Sequence, residues 1–219
     1  MVAGGQPGAA DRIVQECGVG PVVIRRHGAH LAFAAPPLRR SAPAPAPLAR
    51  VAEALGLRAP QIRAAQLLDN GPVWLGLLLT DADAVLALEP DHAALRALGL
   101  KVGVIGAHVD AGTIGLIGRA SREARAFADH ADDASVPSPD FEVRAFAAPL
   151  GIPEDPVTGS LNASLAQWLM DDGLAPPTYI AAQGQCLDRA GRVRLSRDAQ
   201  GQVWVGGDTV TCIDGTVRL

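Results

Sequence analysis

The pattern of hydrophobic and polar residues predicts one strand–loop–helix unit that the rest of the chain surrounds. Residues 141–147 are typical of a β-strand. After a polar loop, apolar residues recur at helical spacing at Leu161, Leu165, Trp168 and Leu169. Pro153 and Pro156 prevent the helix from starting early, so we expect it to begin near Ser160. Gly173 stands where a glycine commonly ends a helix.

Similar patterns predict many shorter elements. Strands are predicted over residues 22–24, 30–34, 64–68, 73–79, 102–107, 113–117, 179–182, 192–195, 202–205, 209–213 and 215–219. Short helices are predicted over 48–55, from a Thr80 cap through 88, and over 91–98. The proline-rich stretch 36–47 predicts an extended surface connection, and the polar stretch 118–139 predicts a mobile excursion. The strands after residue 178 are expected to form an antiparallel meander.

The loop before the long helix is the best candidate for chemistry. A helix N-terminus offers unpaired N–H groups and partial positive charge, and Gly159 allows a ligand to approach that backbone. Thr158 and Ser160 add hydroxyl donors, so the segment fits a carboxylate. Asp155 fits a general acid or base beside it. Plain helix capping by these residues explains the same pattern and stays open as the alternative.

The sequence EDPVTGS at 154–160 resembles the signature of the PhzF-like (phenazine biosynthesis) family, which is similar to diaminopimelate epimerase. Further segments match in the same order, namely 69–74, 140–160, Gln183-Gly184 with Arg189 and Gly191, and 203–207. The resemblance implies an α+β fold of two similar domains, each a curved, mostly antiparallel sheet around a central helix. It implies Asp155 as the catalytic acid/base, and substrate contacts from Thr158, Gly159, Ser160, Asn70 and Gly71. It also implies a cofactor-independent isomerase or epimerase.

One departure from that family changes the expectation. Its members carry an N-terminal glutamate in a Ser-Glu-Thr-like motif and a Gly-His motif, and neither motif occurs in this sequence. We therefore expect an incomplete first domain at 1–62 with 215–219, and a complete second domain at 63–214, with a boundary near 59–63. The incomplete domain has an apolar face to cover, which a partner chain, a dimer mate or simple disorder could each resolve. Activity of the chain alone is expected to be weak or absent.

Composition excludes several classes of function. A net charge of −4 argues against a nucleic-acid partner and against an acidic membrane surface. The 3 cysteines are widely spaced, which argues against a disulfide framework and a zinc site. No metal or cofactor is expected. Since no apolar run reaches membrane-spanning length and the first residues lack the features of a signal peptide, a cytoplasmic protein is expected.

Three histidine positions receive a structural interpretation. His27 and His30 flank a predicted hairpin turn without partners at metal spacing. His108 and Asp110 stand in a predicted turn, where polar turn residues are a commoner explanation than a catalytic pair.

The leading hypothesis is an isomerase acting on a small carboxylate-bearing metabolite. The alternative is a non-catalytic binding or scaffold protein that retains the fold.

Overall fold

The computed structural model describes residues 12–27, 30–108 and 138–209, together with Cys212, Ile213 and Gly215. Twelve strands form one sheet within these residues. Their bounds are β1 Arg12–Cys17, β2 Gly20–His27, β3 His30–Ala34, β4 Arg39–Ser41, β5 Ile62–Asp69, β6 Val73–Leu79, β7 Val102–Ala107, β8 Phe141–Ala147, β9 Ile152–Asp155, β10 Thr178–Gln183, β11 Gly191–Arg197 and β12 Val203–Gly207. The helices are α1 Pro45–Ala54, α2 Ala82–Leu86, α3 His92–Leu98 and α4 Gly159–Asp171.

The sheet is open and mostly antiparallel, so the expected α+β class is confirmed. Its strand order is β1-β2-β3-β12-β11-β10-β8-β7-β6-β5-β4, with β9 paired to β8 beside this path. The pairs β6/β7 and β8/β10 are parallel, and the other described pairs are antiparallel. β3 pairs with β12, so strands of both predicted domains share the sheet. The boundary near 59–63 stays a prediction.

Helix α4 packs against one face of the sheet, as its hydrophobic spacing predicted. Its Leu161, Leu165, Trp168 and Leu169 are almost completely buried. Two glycines of the sheet let the helix approach closely. A Cβ on Gly103 would lie 2.9 Å from Leu161 Cγ, and one on Gly76 would lie 3.2 Å from Trp168 Cζ3. Close approach of backbone to side chain is the reason that these strand positions lack a side chain.

Helices α1, α2 and α3 cover the other face of the sheet. Alternation along β6 supplies both cores, because successive side chains of a strand point to opposite faces. Leu75, Leu77 and Leu79 pack with α1 to α3, whereas Trp74 and Leu78 pack with α4. The two hydrophobic layers therefore share strands, and the sheet between them is buried on both sides over β6, β7 and β8.

Several local expectations are corrected by the structure. Residues 36–47 are not all extended, because 39–41 form β4 beside β5 and α1 begins at Pro45. Proline is tolerated in the first helical turn, where its missing N–H has no intrahelical partner. Asp81 rather than Thr80 caps α2, and its carboxylate accepts a hydrogen bond from the Ala84 N–H at 2.7 Å.

Other expectations concern the two ends of the described chain. The sequence pattern predicts no strand over 12–17, yet β1 pairs with β2 over its whole length. Thr209, Cys212 and Ile213 lie outside the strands, contrary to the strand expected over 209–213. The expected strand at 113–117, most of the excursion at 118–139 and most of 215–219 lie outside the described residues.

Candidate functional site

The candidate catalytic carboxylate lies at the end of a strand and not in a loop. β9 folds back onto β8, and Asp155 stands opposite Ala145. The reversal uses a 3-10 turn over Ala148–Leu150 and Gly151, whose φ of 80° favours glycine. Proline at 153 is compatible with this short strand because β9 lies beside the main path of the sheet and pairs only with β8. Asp155 is thus placed directly before the helix that follows.

Thr158 is the N-terminal cap position of α4, but its side chain does not cap the helix. The Thr158 hydroxyl donates instead to Asp155 Oδ2 at 2.7 Å. Plain capping by Thr158, the alternative left open by the sequence, is therefore not observed. The hydroxyl holds the candidate acid/base in place. It therefore accepts no hydrogen bond from the first-turn N–H groups of α4.

Gln183 of β10 organises this turn from a distant part of the chain. Its Oε1 accepts from the Thr158 N–H at 3.1 Å and from Asn162 Nδ2 at 2.8 Å. Its Nε2 donates to the Asp155 carbonyl at 2.9 Å and to Thr158 Oγ1 at 3.1 Å. Gln183 and Asn162 are both 1% exposed. Neither residue is predicted from the sequence pattern to have a role, although Gln183 belongs to one of the matching segments.

Asn70, in the turn after β5, contacts Ser160 at the start of α4. Asn70 Nδ2 donates to the Ser160 carbonyl at 2.9 Å, and Trp74 Nε1 donates to Ser160 Oγ at 3.2 Å. Asn70 is 4% exposed, and its Oδ1 has no hydrogen-bond partner among the described residues. Gly71 has a structural role here, because a Cβ on it would collide with the Val19 side chain.

Phe33 lies directly over the start of α4, which the sequence did not reveal. A Cβ on Gly159 would lie 3.3 Å from Phe33 Cε1 and Cζ. Phe33 also lines two neighbouring cavities, one of about 320 Å³ with Ser160 and Asn70 and one of about 340 Å³ with Gly159. Asp155 is not among the described residues that line either cavity. Gly159 therefore makes room for an aromatic ring as well as for any ligand.

A second group of ionisable side chains lies on the opposite face of the sheet. Arg144 forms a two-pronged ion pair with Glu154, with Nε to Oε1 at 2.9 Å and Nη2 to Oε2 at 2.8 Å. Arg144 Nη1 also donates to the Leu88 carbonyl at 2.8 Å. Both side chains are 6% exposed. Glu154, which belongs to the loop predicted to hold the chemistry, thus forms a buried structural ion pair.

Glu142 is a buried carboxylate beside this pair. It is 0% exposed, and neither of its oxygens accepts a hydrogen bond from a described residue. His108 Nε2 lies 3.5 Å from Glu142 Oε2. Burial raises the pKa of Glu142, and the positive charges of Arg192 and Arg144 oppose that effect. The proposed turn partner of His108, Asp110, lies outside the described residues.

Neither a metal site nor a membrane-spanning helix is found in the part of the chain that the structure describes. Among residues 12–27, 30–108 and 138–209, no three His, Cys, Asp or Glu side chains are grouped to hold a metal ion. No helix in those same ranges is long and apolar enough to cross a membrane. His30 lies against Asp208.

Comparison with known proteins gives consistent matches. The family described as PhzC-PhzF, phenazine biosynthesis-like protein, matches residues 2–215. Antisense-enhancing sequence 1 of Schizosaccharomyces pombe is 27% identical over 218 residues, which cover 93% of this chain and 66% of that protein. An uncharacterized isomerase of Deinococcus radiodurans is 29% identical over 140 residues, which cover 60% of this chain and 38% of that protein.

Solved structures give the same fold. A PhzF-family phenazine biosynthesis protein of Enterococcus faecalis has a TM-score of 0.61 at 24% identity, covering 91% of this chain and 62% of that one. A predicted epimerase of Pseudomonas aeruginosa has a TM-score of 0.61 at 22% identity, covering 92% and 65%. The chain thus spans less than two thirds of the length of these two structures, and 66% or less of the curated relatives described above.

Proposed function

The chain belongs to the PhzC-PhzF family of phenazine biosynthesis-like proteins, and from this premise we propose that it is an isomerase or epimerase that moves a proton on a small carboxylate-bearing metabolite. The names of the Deinococcus isomerase and the Pseudomonas predicted epimerase support this class of reaction. The observation that carries the proposal is the hydrogen bond from Thr158 Oγ1 to Asp155 Oδ2. It uses the hydroxyl of the cap residue to hold a carboxylate next to a helix N-terminus.

Asp155 is proposed as the acid/base and the start of α4 as the carboxylate site. Moving a proton next to a carboxylate creates negative charge on the carboxylate oxygens in the transition state. Backbone N–H groups of Gly159 and Ser160 at the positive end of the helix would stabilise that charge. Gln183 acts through Thr158, because it binds both the backbone N–H and the hydroxyl of that residue. It is therefore a positioning residue.

The cavity beside Ser160 is not lined by Asp155, so it is proposed to hold the groups of the substrate that do not react. Val22, Ile24 and Phe33 are among its apolar walls. The buried Asn70 Oδ1 has no donor among the described residues, and leaving such an acceptor unpaired is unfavourable. A substrate with an amino or hydroxyl group would supply that donor. The proposed substrate is thus a small amino or hydroxy acid with an apolar side group.

Exchange of the substrate's α-hydrogen with deuterium oxide is the test. Exchange needs only one base, so it reports on Asp155 even where complete isomerisation needs a second acid. We expect the chain to exchange the α-hydrogen of leucine- or phenylalanine-like amino or hydroxy acids, followed by proton NMR. Asp155→Asn should lower the rate by at least about 10²-fold, the usual contribution of a general base.

Two variants of Thr158 separate positioning from folding. Thr158→Val keeps the shape of the side chain but loses the donor to Asp155, so exchange should slow. Thr158→Ser keeps the hydroxyl and should restore most of the rate. If the chain binds such acids by calorimetry but exchanges none of them, the non-catalytic binding protein becomes the better description. Equal exchange by wild type and Asp155→Asn would remove Asp155 from the mechanism.

The partner remains part of the proposal. A dimer mate or a second chain is proposed to complete the site by covering the face of β1–β3 that carries Val22, Ile24 and Phe33. If the exchange rate of the isolated chain rises more steeply than linearly with protein concentration, the proposed partner is supported. A strictly linear dependence, with a monomeric mass in solution, would contradict it.

A further inference from the structure

A row of five paired residues, three of them arginines, crosses five neighbouring strands on the face of the sheet opposite to the α4 N-terminus. Arg12 of β1 stands opposite Arg25 of β2, and Arg25 stands opposite Ala32 of β3. Ala32 in turn stands opposite Gly206 of β12, and Gly206 opposite Arg194 of β11. Directly paired residues of adjacent strands project from the same face. The row therefore places three guanidinium groups on one side of the sheet.

The middle of the row is a trough because its residues are small. Ala32 and Gly206 form the floor, and all five residues of the row line one cavity of about 490 Å³. A Cβ on Gly206 would lie 3.1 Å from Ala32 Cβ, so a larger side chain would fill this floor. Arg25 and Arg194 stand at the two sides, three strand spacings apart, or about 14 Å between their backbones.

One wall of the trough is held rigidly. The Arg25 guanidinium lies over the Trp204 ring, 3.7 Å from its centroid. Trp204 Nε1 donates to Asp198 Oδ2 at 2.8 Å, and the same oxygen lies 3.9 Å from Arg25 Nη1. Stacking on an aromatic ring holds a guanidinium in place while its N–H groups stay free to bind. Arg25 is thus oriented before any ligand arrives.

The other guanidiniums are unpaired in the described part of the chain. Arg12 and Arg194 form no ion pair or side-chain hydrogen bond there. Asp198 also lines the cavity, and its carboxylate contacts Arg25 and the Trp204 N–H. Arg26 also lines the cavity. Like charges directly opposite each other on neighbouring strands, such as Arg12 and Arg25, are destabilising. A bound anion would turn that repulsion into attraction, in a chain whose net charge is −4.

We propose that this trough binds a small molecule that carries two or more phosphate groups. Guanidinium forks match phosphate oxygens with paired hydrogen bonds, which carboxylate-sized monoanions cannot make to both sides of a trough this wide. A chain of phosphates would reach from Arg25 towards Arg194 over the small floor. The site is separate from the one at the start of α4, so it does not depend on the proposed isomerase function.

Calorimetry with inorganic tripolyphosphate tests the proposal on the full 219-residue chain. One tripolyphosphate is expected per chain, bound more tightly than orthophosphate by about tenfold or more, with an affinity that falls as salt is added. Arg194→Ala and Arg12→Ala should each weaken binding by about tenfold, the size expected for a charge-assisted hydrogen bond. Both arginines are exposed, so the unfolding temperature should not change.

Arg39→Ala is the matched control, because Arg39 is an exposed strand arginine near the other edge of the sheet. The affinity of the Arg39→Ala variant for tripolyphosphate should stay within about twofold of wild type. If Arg194→Ala proves unstable, Arg194→Lys keeps the charge and stem but loses the fork, and it should still weaken binding. Three results would overturn the proposal: no tripolyphosphate binding, equal weakening by Arg39→Ala, or binding of an oligonucleotide but not of tripolyphosphate.

Discussion

The side-chain amide of Gln183 binds Thr158 through both of its ends, accepting from the backbone N–H at 3.1 Å and donating to the hydroxyl at 3.1 Å. The two residues are 25 positions apart, on β10 and at the start of α4. Since Thr158 in turn holds Asp155, the candidate acid/base is oriented by a residue on a different strand. These contacts indicate which substitutions should change the stability of the fold and which should change the activity.

Gln183→Leu should destabilise the fold. The change leaves the buried Thr158 N–H without its acceptor and removes one acceptor from Asn162. Leaving buried donors unsatisfied should lower the free energy of unfolding by about 2 kcal/mol or more. Urea denaturation is the measurement. Gln66→Leu is the control, since Gln66 is half-buried and makes no side-chain hydrogen bond in the described residues, and its effect should be much smaller. Equal losses in both variants would contradict the assigned role.

Substitutions of the adjacent carboxylates Glu154 and Asp155 should change the free energy of unfolding by very different amounts. Glu154→Gln breaks a buried ion pair and removes the carboxylate that is hydrogen-bonded to Arg144, so the free energy of unfolding should fall by about 3 kcal/mol. Asp155→Asn should change it by less than about 1 kcal/mol, because asparagine can still accept from Thr158. Denaturation curves of the two variants give the comparison. A stable Glu154→Gln protein would show that the pair is dispensable.

Glu142 should make stability depend on pH. Its pKa is raised above the usual value of 4.5 mainly by burial. Between its unfolded and folded pKa values, the folded chain binds more protons than the unfolded chain. The free energy of unfolding should therefore fall as the pH rises from about 4.5 through the raised folded pKa.

Glu142→Gln should remove the part of this pH dependence that comes from Glu142. The variant should therefore have a higher free energy of unfolding than wild type at neutral pH. Chemical denaturation over a series of pH values measures the slope. Glu53→Gln, on the exposed side of α1, should keep the wild-type slope. The same slope in Glu142→Gln as in wild type would mean that His108, Arg192 and Arg144 fully compensate the buried charge.

Gly103→Ala should destabilise the packing of α4 on β7. The added methyl would overlap Leu161, whose side chain is fully buried, and such overpacking typically costs about 1–3 kcal/mol. Gly18→Ala is the control, because a Cβ there meets nothing within 4 Å. In a Leu161→Ala background the effect of Gly103→Ala should shrink, because the clash partner is gone. Simple additivity of the two changes would locate the strain elsewhere.

Local patterns in the sequence determined much of the fold. Periods of apolar residues predicted α4 and most strands, because the alternation of faces in a strand and the turn of a helix are short-range properties. They missed β1, β4 and β9. The residues of β1 and β4 are mostly exposed, and β9 contains a proline, so these short strands depend on pairing with a neighbour more than on their own hydrophobic pattern.

The tertiary structure alone decided how the candidate site is assembled. The sequence pointed to Asp155, Thr158 and Ser160 because they are neighbours in one segment. Three contacts of this segment come from distant parts of the chain: Phe33 of β3 at Gly159, Gln183 of β10 at Thr158, and Asn70 of the turn after β5 at Ser160. Which residues meet across a sheet depends on strand order and register, and these are set by the packing of the whole core. A pattern read along the chain cannot contain that information.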